Sequence, residues 1–77
     1  MIKRKKFYNA INRRGYTPQS LSKALGVSKW LVYKWLYGNS EPNVERLLEL
    51  MSLLEVSAED ILRMFIEERE EEENVDD

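Results

Sequence analysis

Four side chains near the middle of the sequence carry its most suggestive chemistry. Lys29 and Tyr33 are four residues apart, and so are Trp30 and Lys34, a spacing that brings side chains together on one helical face. That face offers two ammonium donors, a phenol and an indole, opposite an apolar stripe of Val32, Trp35 and Leu36. It suits a partner rich in acceptors and negative charge. Catalytic alternatives are poorly supplied: the 77 residues contain no histidine and no cysteine, so the usual general base, a thiolate and a disulfide are all missing. Zinc would have to rely on carboxylates alone. Glu59 and Asp60 read as a capped helix start and the terminal glutamates as a solvated run, so no enzymatic activity and no cofactor are expected.

Charge is divided along the chain. Residues 1–40 hold Lys3, Arg4, Lys5, Lys6, Arg13, Arg14, Lys23, Lys29 and Lys34 without a single acid. Residues 41–77 hold Arg46, Arg63 and Arg69 against all fourteen acids, and the formal net charge is −2. A cationic surface built from the first half would suit a polyanion. Phe7 to Arg13 alternates apolar and polar residues, so no secretory signal is expected, and no apolar run approaches the roughly 20 residues that span a bilayer. The expected location is the cytoplasm, with no membrane partner.

Helix signals position these groups. A first helix is expected from about residue 3 to 14, with Phe7, Ala10 and Ile11 inward and Gly15 ending it. Thr17 is a good N-cap and Pro18 fits the first helical position, starting a helix that buries Leu21, Ala24 and Leu25 and stops at Gly26. Ser28 caps a third helix that runs to Tyr37 and ends at Gly38, with Val27 and Val32 placed as a hydrophobic staple. After the loop Asn39-Ser40-Glu41-Pro42, Asn43 caps a fourth helix burying Leu47, Leu50, Met51 and Leu54. Glu55 stands where a helix-ending glycine would be comfortable, and the left-handed conformation there costs on the order of 1 kcal/mol. Ser57 opens a fifth helix with Asp60 in a capping-box-like position and Ile61, Leu62, Phe65 and Ile66 on its apolar side. Residues 1–66 form the expected domain, and the almost wholly charged 67–77 an acidic, disordered tail.

The stretch from Pro18 to Gly38 has the pieces of a helix-turn-helix: a small residue, Ser22, where two helices approach, Gly26 in a short turn, and Leu21, Leu25, Val27, Val32 and Trp35 holding the second helix down. With YTPQSLSKALGVS, VYKW, Gly38, Pro42, LLEL and EVSAEDIL in order, the chain from about Phe7 to Leu62 is similar to the phage lambda repressor and Cro family, the XRE-type regulators. The resemblance implies an all-α, five-helix lambda-repressor-like domain whose third helix enters the major groove of double-stranded DNA. It implies base contacts from Lys29, Trp30, Tyr33 and Lys34, with the lysines suited to guanine O6 and N7 and Trp30 to thymine methyls. The same two lysines could instead meet phosphates. Phosphate contacts are implied for Gln19, Ser20, Tyr37, Asn39 and Ser40, with Arg13 and Arg14 flanking. Lys3 to Lys6 read either as an arm along the DNA or as a solvated helix end.

The chain departs from its relatives in three places. Pro18 stands where the family usually has a phosphate-clamping glutamine, displacing Gln19 by one residue, about 100° around the helix. Ile11 and Leu36 stand where the family often pairs an arginine with a glutamate. Trp30, Leu31, Tyr33 and Tyr37 also make the third helix unusually apolar for a base-reading surface.

The resemblance implies a sequence-specific transcriptional regulator, a phage- or mobile-element-type repressor acting as a homodimer on a palindromic operator, with Met64, Phe65 and Ile66 as the seam. Phe65 can equally complete the domain's own core. Two rival readings are a protein-interaction module, an antirepressor or assembly partner using the aromatic face, and the antitoxin of a toxin–antitoxin pair.

Overall fold

The computed structural model describes residues 2–67, which form α1 (Lys5–Arg13), α2 (Pro18–Leu25), α3 (Lys29–Tyr37), α4 (Val44–Leu54) and α5 (Ala58–Leu62). The last helix runs on into a π-helical turn, Arg63–Glu67. Among the described residues there is no strand. The expected acidic tail lies outside them from Glu68 onward.

Each boundary has a local cause. Thr17 Oγ1 accepts from the Ser20 N–H at 3.0 Å while Ser20 Oγ accepts from the Thr17 N–H at 2.9 Å, a reciprocal capping box. The side chains of Ser28, Asn43 and Ser57 cap α3, α4 and α5 in the same sense, each cap contributing about 1 kcal/mol. Gly26 and Gly38 end α2 and α3 at φ 74° and 80°, the left-handed region that only glycine enters without steric cost. Glu55 enters it too, at φ 55°, as the expected non-glycine exception.

One core joins all five helices. Phe7, Ala10 and Ile11 of α1 meet Leu21 and Leu25 of α2, and Val32, Trp35 and Leu36 of α3. Leu50 and Leu54 close it from α4, and Ile61, Met64 and Phe65 from the C-terminal end. The rings of Phe7 and Phe65 are 4.9 Å apart at 52°. Each fully buried large side chain contributes roughly 1.5–3 kcal/mol of transfer free energy. Ser22 is buried at the close approach of α2 to α3, its hydroxyl donating to the Gln19 carbonyl at 2.6 Å.

Several expectations need correction. The first helix starts at Lys5, and residues 2–4 precede it as non-helical chain. Ala24 is exposed, because the eight-residue α2 touches the core along Leu21, Ser22 and Leu25 only. Leu47 and Met51 are half-buried at the core's margin, and Leu62 is 48% exposed. Met64 and Phe65 turn into the domain's own core, which removes both from the expected subunit seam; Ile66 alone of that trio faces outward.

Candidate nucleic-acid interface

The Gly26 elbow sets α3 across α2 so that its inward and outward faces separate cleanly. Val32, Trp35 and Leu36 are at most 1% exposed, whereas Trp30 is 65% exposed and Lys29 and Lys34 also stand in solvent. Tyr33 is half-buried between them. An open groove of about 450 Å³ is lined by Gln19, Lys29, Trp30, Tyr33, Lys34 and Tyr37. All four expected base-facing residues therefore sit together, joined by two of the expected phosphate-facing ones. Gln19 reaches this groove from α2 despite its displacement by Pro18.

The aromatic side chains form a ladder along α3. Trp30 and Tyr33 have ring centroids 6.1 Å apart at 42°, and Tyr33 and Tyr37 stack at 6.0 Å and 19°. Lys29 Nζ lies 5.1 Å from the Trp30 ring centroid, a cation–π contact of about 0.5–1 kcal/mol at an exposed site. The contact holds one positive charge against the most exposed ring. The result is an apolar floor with ammonium groups at its edge, able to meet base edges and methyl groups while donating to oxygen and nitrogen acceptors.

Other expected contact residues are less free. The Ser20 hydroxyl and N–H are both committed to the capping box with Thr17. Ser40 turns inward: its Oγ is buried without a hydrogen-bond partner among the described residues, and its N–H donates to the Lys34 carbonyl at 3.4 Å. The hydroxyl of Ser40 is thus not presented to a phosphate. The Asn39 N–H likewise closes α3 on the Lys34 carbonyl at 2.9 Å, leaving its exposed side chain to face outward. Arg14 pairs with Glu55. Arg13 lines a shallow hollow with Lys6, Asn9, Val56, Asp60, Arg63 and Met64, which shares no residue with the α3 groove.

Residues 8–61 match the helix-turn-helix family model. The chain belongs to the XRE, or lambda Cro–C1, type of helix-turn-helix family. No curated protein and no solved structure matches it. As an XRE-type domain it is a double-stranded-DNA-binding transcription regulator, and the elements the family uses for recognition are α2 and α3. No helix among the described residues is long and apolar enough to cross a membrane, and no cluster of carboxylates among them could hold a metal ion.

Two arginines that brace this XRE-type domain carried no distinct signal in the sequence. Arg46 of α4 donates to the Leu25 carbonyl at 3.2 Å and to Glu49 at 2.7 Å, tying the end of α2 to the fourth helix. Arg4 is 5% exposed, and its guanidinium donates to the Trp35 and Ser40 carbonyls. Nothing in the run Lys3-Arg4-Lys5-Lys6 distinguishes that buried member from its neighbours.

Proposed function

We propose that this XRE-type regulator reads a specific operator with the α3 groove, as a homodimeric repressor of phage or mobile-element type working in the cytoplasm. The observation that carries the reading is the outward grouping of Gln19, Lys29, Trp30, Tyr33, Lys34 and Tyr37 around one groove. In this reading Lys29 and Lys34 donate to guanine acceptors, Trp30 lies against thymine methyls, and Tyr33 supports both. Gln19, Tyr37 and Asn39 hold phosphates on either side of the groove, and Arg13 and Arg14 add flanking charge. Occupancy of the operator excludes polymerase, and no cofactor takes part.

A small single domain has limited specificity, and two copies on a two-fold site double the contact. Val44 and Leu48 on α4, and Leu62 and Ile66 at the C-terminal end, are large apolar side chains left exposed at 48–72%. They supply candidates for the seam now that Met64 and Phe65 are accounted for by the core.

Binding-site selection from random duplexes, using the purified chain, tests the proposal. An enriched, two-fold-related motif is expected, with affinity falling on a log–log salt plot at about −0.9 per neutralised phosphate. No enriched motif would turn the assignment toward the second reading, a protein-interaction module. That reading draws support from the 65% exposure of Trp30 beside Tyr37, since exposed aromatic side chains anchor protein interfaces.

A further inference from the structure

The residues ahead of α1 are fastened to the far end of α3. The N–H groups of Lys3 and Arg4 both donate to the Leu36 carbonyl at 3.0 Å. Arg4 Nη1 donates to the Trp35 carbonyl at 2.6 Å and to the Ser40 carbonyl at 2.9 Å. The same guanidinium lies 4.9 Å from the centroid of the Phe65 ring, which in turn rests on Phe7. The last carbonyls of a helix have no partners within it. In α3 the N-terminal segment supplies several of those partners, and the buried fork of Arg4 joins α3, its following loop and the C-terminal end of the domain at one point.

Lys3 is carried to a defined place by this clasp. Its stem lies over Gly38, where a Cβ added to the glycine would meet Lys3 Cδ at 3.6 Å. Its side chain is exposed. Gly38 immediately precedes Asn39, to which the proposed function gives a phosphate.

We propose that Lys3 is a further phosphate contact of the DNA-binding face, and that Arg4 is the positioning residue that holds Lys3 and the end of α3 in register. The inference rests on the DNA-reading assignment above. It differs from a freely moving basic arm, because the main-chain and guanidinium bonds fix where the charge emerges. It also differs from a purely local role in which Lys3 complements the negative end of the α3 dipole, since a dipole partner neutralises no phosphate.

The test uses the full chain, its selected duplex and an unrelated duplex across a salt series. Lys3→Gln is expected to weaken both duplexes alike and to lower the magnitude of the log–log slope by about 0.9. Equivalently, the loss of affinity between roughly 50 and 200 mM salt shrinks by about 3.5-fold. Arg63→Gln removes the same charge from a residue paired with Glu59 and is expected to leave the slope unchanged.

Arg4→Met, and the milder Arg4→Lys should the first not fold, are measured where circular dichroism shows native helix content. Either is expected to lower the slope as Lys3→Gln does, with Lys3→Gln adding little on top. A merely structural role for Arg4 would change the melting temperature while the slope of the folded protein stayed put. An unchanged slope for Lys3→Gln, or fully additive effects of the two substitutions, overturns the proposal. If the unsubstituted chain binds no duplex, the DNA-reading assignment falls as well. If it binds and Lys3→Gln is silent, only this inference does.

Discussion

Ile11 of α1 and Leu36 of α3 share one core, and neither retains any exposed surface. The positions where relatives often place an arginine and a glutamate are here both filled by hydrocarbon, which spares two desolvation costs. Leu36→Glu alone strands a buried charge, at about 3–5 kcal/mol. A domain of this size has a total stability of roughly 4–12 kcal/mol, so a substantial part of it is lost. Ile11→Arg with Leu36→Glu is expected to recover part of that loss. Urea unfolding of the two single variants and the double variant measures the coupling, and strictly additive losses would refute the neighbour relationship.

Base reading and phosphate holding separate in binding titrations. Lys34→Ala is expected to weaken the selected duplex by about 1–3 kcal/mol and relax preference at one base-pair position. Trp30→Ala should cut discrimination between thymine and uracil at its step, because only thymine carries the methyl group. Equal losses on selected and scrambled duplexes would assign these side chains to the backbone instead.

Glu55 holds a left-handed conformation at φ 55° and pairs with Arg14 through partly exposed side chains. The strain amounts to roughly 1 kcal/mol, and a surface ion pair contributes no more than about that. Glu55→Gly is therefore expected to raise the melting temperature by a few degrees, read by circular dichroism, whereas Glu55→Val lowers it.

Leu48→Asp and Ile66→Asp address the dimer. Both side chains are exposed, at 60% and 49%, so neither change should alter helix content. Sedimentation equilibrium is expected to show a shift toward monomer for at least one of them, with a matching loss of affinity for two-fold sites. Dimers of undiminished strength in both variants would place the seam elsewhere.

Much of the architecture was legible because it rests on short-range chemistry. Thr17, Ser28, Asn43 and Ser57 cap what they were expected to cap, and Gly26 and Gly38 end the helices ahead of them. The exposed set Lys29, Trp30 and Lys34 was implied by the family resemblance, and helical spacing agreed with it. What stayed hidden depends on tertiary placement. Leu62, Phe65 and Ile66 make as good an i, i+3, i+4 stripe as Ile61, Met64 and Phe65, and only the position of α1 and α4 decides which turns inward. Ser40 looked free, but its direction depends on how the loop closes on Lys34. Arg4 was indistinguishable from the lysines beside it until its distance from Trp35 was known.

The two tryptophans have opposite surroundings: Trp35 is 1% exposed in the core and Trp30 is 65% exposed over the groove. The chain thus contains two intrinsic fluorophores reporting on separate events. Iodide should quench Trp30 and spare Trp35, and a ligand in the groove should shield the first from quencher. Emission from Trp35 should shift only when the helices come apart, so occupancy and unfolding can be followed in one cuvette without a label.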